Sequence, residues 1–337
     1  MLRKLSIKVE KQFTYRVQMK KKIIIISGDP NSINSEIIVK SWVKLKTTLK
    51  NRIVFVSNIN LLKKQFKKLK AKIRIKKIDN INVNLKDSSF KVIDIGLNFK
   101  DPFGVKENEA SKFVSKCLSF AHLLALRQDV SGLINCPIDK KLLGKKNIGV
   151  TELLASKCKV KNNSEVMLIW NKKFAVTPVT THINIKDVSK KISQKIIFEK
   201  VQTIDKWFRK IYQRKPIIGV LGLNPHNSEN RIGSEEQKII VPTIKRLKNK
   251  RINISGPFVA DTLFIKDFKR FDVVVGMYHD QVLVPFKTIF GFKAINITLG
   301  LKYLRVSPDH GTAKNLIKKN KSDPSSLLEC ISFLGKF

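Results

Sequence analysis

Two periodicities share this chain. Runs of four to six mostly apolar residues, rich in Ile and Val, occur at 22–27, 52–57, 132–135, 165–170, 173–176, 216–221 and 273–276, which predicts strands. Between them lie longer amphipathic stretches at 35–49, 108–127, 190–213 and 234–248, which predict helices. Strands alternating with helices imply an α/β chain built on a largely parallel sheet. The stretch 60–100 alternates less cleanly and is lysine-rich, as expected of a smaller β-containing insertion. No internal repeat and no Gly/Ser or Pro linker interrupts the pattern, so two domains sharing one continuous sheet system are expected.

With 337 residues, 42% of them hydrophobic, the chain can bury a large core. That excludes a disordered tail or a disulfide-stapled miniprotein. No uncharged apolar run approaches the ~20 residues that span a bilayer, so no membrane partner is expected.

The formal charge of +41 first suggests nucleic acid. Only twelve of the 67 basic residues are arginine, however, and the lysines are spread along the whole chain. Base readout and stacking favour arginine and aromatics, and no basic stripe interleaved with aromatics is present. Abundant Lys, Ile and Asn share A/T-rich codons, which accounts for the charge without a specific nucleic-acid partner. Four isolated cysteines, none in a CxxC pair, fit a reducing compartment. The first twenty residues lack the apolar segment of a signal peptide. A short N-terminal extension over residues 1–21 and a cytoplasmic location are the expectations.

Three of the five histidines share one local setting. His182 follows FAVTPVTT, His226 follows IIGVLGLNP and His279 follows FDVVVGMY; each is an apolar run leading at once into a polar turn. Ligands in open α/β sheets lie beyond the carboxyl ends of strands, so three imidazoles delivered there can meet on a divalent metal. Capping or second-sphere roles are the bland alternative. His122 lies inside a helix and is expected to be structural.

Lys287, Asn296 and Arg305 are polar positions among strand-like apolar runs. Arginine is scarce here, and its fork suits phosphate or carboxylate. Asp261 and Asp280 can serve as general acid or base, as partners of a metal, or as turn caps. Thr151 and Glu152, after Gly149, open a helix whose amino end suits an anion or needs only an ordinary cap.

The segments SGDP with SEII, NCPIDK, GVTELLA, PVTTHI, GLNPH with GSEE, GPFVADTLF, MYHDQ, and NITLGL with DHGTA occur in that order. Over roughly residues 22–330 this series resembles the 4-hydroxythreonine-4-phosphate dehydrogenase family. The resemblance implies an isocitrate/isopropylmalate dehydrogenase-like fold of two α/β domains with a cleft between them. One would be 22–140 with 280–337, the other 141–279 with the dimer interface. It implies a homodimer with a shared active site and NAD (or NADP) as cofactor. A divalent metal (Zn, Mg or Co) would be held by His182 and His226 of one subunit and His279 of the other. The small phosphorylated amino-acid substrate would meet Thr151, Lys287, Asn296 and Arg305. Asp261, Asp280 and Lys287 would be the catalytic set. Asn224 and the stretch Asp309, His310, Gly311 and Thr312 would lie against the dinucleotide.

The implied reaction is oxidation of 4-phosphooxy-L-threonine to a β-keto acid that decarboxylates to 3-amino-2-oxopropyl phosphate, in pyridoxal 5'-phosphate synthesis. The alternatives are a paralogue acting on threonate or erythronate phosphate, or a noncatalytic basic binding protein. The main departure is Val150, where the family usually carries histidine. Valine cannot donate a hydrogen bond.

Overall fold

The run of four isoleucines from Ile23 to Ile26 has no exposed surface at all. Ile23 and Ile25 point into one core, with Trp42, Phe55 and Phe90, while Ile24 and Ile26 point into another, with Phe113, Leu118 and Leu154. A strand covered on both faces reads as a continuous apolar run rather than an alternating one. The computed structural model describes residues 21–82, 88–144, 149–160, 164–291 and 293–337. The expected N-terminal extension lies outside them, except for residue 21.

Among the described residues, twelve strands form one sheet. In chain order they are β1 (Lys22–Ile26), β2 (Ile53–Ser57), β3 (Ile75–Lys77), β4 (Phe90–Asp94), β5 (Val130–Asn135), β6 (Val166–Asn171), β7 (Phe174–Thr180), β8 (Ile218–Leu221), β9 (Ile254–Phe258), β10 (Val273–Tyr278), β11 (Ile295–Leu299) and β12 (Arg305–Pro308). Their spatial order is β3-β4-β2-β1-β5-β12-β11-β6-β7-β10-β8-β9. The helices that matter below are α1 (Asn34–Lys44), α2 (Ile59–Lys68), α3 (Glu107–Ala125), α4 (Val150–Lys157), α5 (Gln194–Tyr212), α6 (Val241–Asn249), α7 (His279–Phe290) and α8 (Ser325–Leu334).

Parallel pairing holds on both flanks, but the centre is antiparallel: β12 pairs β11, β11 pairs β6 and β6 pairs β7 in that sense. The turn at Lys172-Lys173 is too short for a crossover and can only make a hairpin. The stretch 60–100 is no insertion. It supplies α2, β3 and β4, and β3 and β4 extend the main sheet beyond β2 in parallel register. Its poor alternation has a physical cause. Phe90, Lys91, Val92 and Ile93 are all buried, and the Phe90 ring stacks on Phe55 at a 3.9 Å centroid separation.

His122, on α3, is buried and shares a 2.9 Å hydrogen bond between Nδ1 and the Tyr303 hydroxyl, a structural position.

Candidate active site

β7 and β10 run side by side in parallel with Thr180 opposite Tyr278. The residues just past their carboxyl ends must therefore meet. They are His182 and His279, with ring centroids 5.6 Å apart in one chain. β10 stops at Tyr278 because α7 begins at the next residue, with Asp280 in its first turn where the helix dipole favours an acid. Asp280 Oδ1 lies 2.7 Å from His279 Nδ1. A carboxylate on Nδ1 orients the ring and leaves Nε2 as its ligating nitrogen. Burial lowers the pKa of His182, and nearby Lys140 and His279 add to that, so its imidazole is held neutral.

β8 lies on the other side of β10, and the chain leaves it through Asn224-Pro225 to His226. Here the backbone turns left-handed, with φ of 51°, 54°, 53°, 49° and 58° from His226 to Asn230. For residues with a Cβ that costs about 1 kcal/mol or more at each position. Glu236 anchors the start of this turn from beneath. Its Oε1 accepts from the Leu223 and Asn224 amides at 2.8 Å each, and Oε2 accepts from Asn224 Nδ2 at 3.1 Å. Burial alone would raise the Glu236 pKa, but the Asn224 hydrogen bonds outweigh it and the net direction is down. A carboxyl depressed on folding contributes stability above its unfolded pKa, and that stability is lost as pH falls through the folded value. Urea unfolding between neutral and acid pH should therefore show less acid sensitivity in Glu236→Gln than in the parent. An unchanged pH slope would exclude Glu236 as the source of that sensitivity.

His226 does not join the pair. Among the described residues, no three His, Cys, Asp or Glu side chains of one chain gather as a metal-holding group. The structure thus pairs His182 with His279 inside one chain, whereas the resemblance implied His182 with His226. Two nitrogen donors, one held neutral and one oriented by a carboxylate, fit a divalent cation of the zinc or cobalt type, one short of the usual three.

Next to this pair opens a cleft of about 410 Å3. It brings together His182, Thr151, Lys287, Asn296, Arg305, Asp309, His310 and Gly311 from distant parts of the chain. Arg305 begins β12 and is 4% exposed. Its Nε donates to Asn135 Oδ1 at 2.7 Å, and Nη1 donates to Thr298 Oγ1 at 2.8 Å and to Thr151 Oγ1 at 3.2 Å. Among the described residues no carboxylate lies within 4.0 Å of its guanidinium. Burial brings its pKa down to about 10, so it stays charged at neutral pH. Lys287 Nζ sits 3.2 Å from Asp309 Oδ2, and burial raises the Asp309 pKa despite that neighbour. Asn296 Oδ1 and His310 Nε2 are buried without a hydrogen-bond partner. Orphaned polar atoms in a cleft are what a polar ligand satisfies.

Other expected residues stay outside this cleft. Asp261 is exposed on a short turn of helix. Asn224 is tied to Glu235 and Glu236. The Thr312 carbonyl accepts from the Ile33 amide. Asn135, Lys140, Glu165 and Lys200 line the cleft without having been expected there. Lys200 carried a signal: it falls on the buried stripe of α5 formed by Ile197, Val201 and Ile204.

An α/β fold with a cation-lined cleft and a histidine pair at neighbouring strand ends has the form of an enzyme active site. The comparisons give the family. The model of pyridoxal phosphate biosynthetic protein PdxA matches residues 49–334. The 4-hydroxythreonine-4-phosphate dehydrogenase of Sulfurihydrogenibium sp. (strain YO3AOP1) is 38% identical over 316 residues, 92% of this chain and 96% of that protein. The D-threonate 4-phosphate dehydrogenase of Pectobacterium atrosepticum is 30% identical over 319 residues, 92% of this chain and 97% of that protein. Among solved structures, 4-hydroxythreonine-4-phosphate dehydrogenase from Klebsiella pneumoniae superposes with a TM-score of 0.82 at 30% identity, covering 93% of this chain and 98% of that one. The chain belongs to the PdxA family and is an oxidoreductase. No helix among the described residues is long and apolar enough to cross a membrane.

Proposed function

We propose that this chain oxidises 4-phosphooxy-L-threonine with NAD, NADP being the alternative, in a reaction that depends on a divalent cation. The product is a β-keto acid that loses CO2 to give 3-amino-2-oxopropyl phosphate. The protein would act as a homodimer whose sites are shared between subunits. Arg305 carries the reading: a buried guanidinium without a carboxylate partner among the described residues, opening onto a cleft beside the Thr151 hydroxyl. Burying a charge without a partner is costly, and an anionic substrate removes that cost when it binds.

The cleft rim at Asp309, His310 and Gly311 would hold a nicotinamide dinucleotide, which would supply the hydride-accepting chemistry. His182 and His279 of one chain, with His226 of a second copy as third nitrogen, would hold a divalent cation, which would supply Lewis acidity. The chain's own side chains do the rest. Arg305 and Thr151 hold the anionic end of the substrate, and the orphaned Asn296 carbonyl accepts from a substrate donor. Lys287, beside Asp309, is the group in the cleft that exchanges protons with the reacting atoms. Asp280 is a positioning residue that holds the His279 ring. Asp309 to Gly311, at the rim, flank the dinucleotide. The test is NADH formation on a panel of 4-phosphorylated hydroxy acids, with and without added divalent metal. The phosphorylated threonine should be the best substrate, and no reduction with any member would end the reading.

A paralogue reading, oxidation of threonate or erythronate 4-phosphate, is favoured by Val150, which lines the cleft beside Thr151 with no polar group. Val150→His decides between them. If the site is that of a threonine phosphate enzyme, one added hydrogen bond to a charged group should lower its KM by about 10- to 100-fold. If the cleft is shaped for threonate, the imidazole should instead slow threonate phosphate turnover.

A further inference from the structure

Lys200 is a cleft cation to which neither the proposed chemistry nor the resemblance gives a role. It sits in the middle of α5, on the face whose neighbours Ile197, Val201 and Ile204 are fully buried. A lysine on such a face either reaches along apolar surface to water or meets a polar partner. Here Nζ donates to the Glu165 carbonyl oxygen at 2.7 Å, within the cleft wall. No carboxylate lies within 4.0 Å of it among the described residues. An ammonium has three N–H donors, so two remain beyond that bond.

The surroundings set its task. Val150 and Thr151 begin α4 on the same cleft, and Val150 presents only methyl groups. Glu152, one residue further, folds back over Gly149; a Cβ there would come within 2.5 Å of its Oε2. An anion entering beside Thr151 therefore meets a carboxylate, and Arg305 is the counter-charge described so far. Lys200 feels both Glu152 and Glu165, whose fields partly offset the burial that lowers its pKa. Poorly hydrated and with donors to spare, it gains more from an incoming anion than a surface lysine does.

We propose that Lys200 is a specificity-determining residue that contacts the substrate's phosphate together with Arg305, selecting molecules that end in a phosphate dianion. The identity of the whole substrate rests on the dehydrogenase reading above, but the phosphate contact does not.

The test uses inorganic phosphate as probe and the intact protein. Calorimetric titration should give a Kd about 10- to 100-fold weaker for Lys200→Met than for the parent, the value of one charged hydrogen bond. In turnover, KM for phosphorylated substrates should rise by the same factor with kcat nearly unchanged, and Lys200→Arg should recover most of the loss. A lysine that merely neutralises Glu152 and Glu165 would change the melting temperature and leave the phosphate Kd alone, which overturns the proposal. So does absence of measurable phosphate binding by the parent.

If Lys200→Met does not fold, reductive methylation of the parent replaces it. Phosphate should protect Lys200 and leave exposed Lys195 on the same helix reactive. Equal labelling of Lys200 with and without phosphate overturns the proposal. If no panel member reduces NAD while Lys200→Met still weakens phosphate binding, the dehydrogenase reading falls and the phosphate contact stands. If NAD is reduced but the variant's phosphate Kd is unaltered, the phosphate contact falls and the dehydrogenase reading stands.

Discussion

Replacing Arg305 with methionine should lower kcat/KM for a phosphorylated substrate roughly a hundred- to ten-thousand-fold, with no loss of thermal stability. The first half follows from charge-assisted hydrogen bonds worth about 1.5–3 kcal/mol each, of which a forked guanidinium can give two to one anion. The second half follows from burial. Arg305 is 4% exposed with no carboxylate partner among the described residues, so the folded state carries a desolvated charge. Methionine has similar length and no charge, and it lifts that cost. The variant also removes a donor from Asn135, Thr298 and Thr151, which offsets part of the gain. A melting temperature at or above the parent's, with collapsed turnover, is therefore the expected pair of results. A large drop in melting temperature with turnover intact would make Arg305 a structural residue.

Removing divalent metal should abolish NAD reduction, and each of His182→Ala, His226→Ala and His279→Ala should be inactive alone. Subunit mixing then separates the possible partitions of the ligand set. His182 and His279 lie together in one chain. If a second copy supplies the nitrogen of His226, exchange between His182→Ala and His226→Ala dimers leaves each hybrid with one intact site and one doubly defective site. Random exchange makes half the dimers hybrid, so about a quarter of parent activity should return. Mixing His182→Ala with His279→Ala should return none. Recovery in that second mixture and not in the first would support the division implied by the sequence resemblance. Full activity of a chelated, metal-free sample would remove the metal altogether.

Most strands and the long helices were legible because their burial is periodic or continuous: α5 buries Ile197, Val201 and Ile204 at helical spacing, and β10 is buried from Val273 to Met277. The antiparallel centre was not, because pairing direction depends on connection length and on partners far away in sequence. β4 was obscured by Lys91, a charged residue buried between Phe90 and Val92. In the site, the histidines showed themselves by their common position after strands, and Arg305 by its scarcity. Lys140 was hidden by composition, since one lysine among 55 carries almost no information, and Lys200 stood out only by its place on the buried stripe of α5. Asn224, which the resemblance places against the dinucleotide, has its side-chain amide engaged by Glu235 and Glu236, a pairing that local pattern does not encode.

The sheet does not stop between the two flanking parallel blocks. β12, β11, β6 and β7 join them through continuous backbone hydrogen bonds. Relative rotation of the two blocks would have to bend or shear that ladder, so wide clamshell motion of the kind seen between separately folded lobes is mechanically costly here. Arg305 and Asn296 stand on two of these central strands, β12 and β11. On the proposed assignment of Arg305 and Asn296, substrate would be gauged against the stiffest part of the frame. Entry and exit would then fall to the cleft's outer segments, the start of α4 and the rim at Gly311. A ligand one atom longer or shorter would meet a fixed ruler rather than a jaw that can adjust.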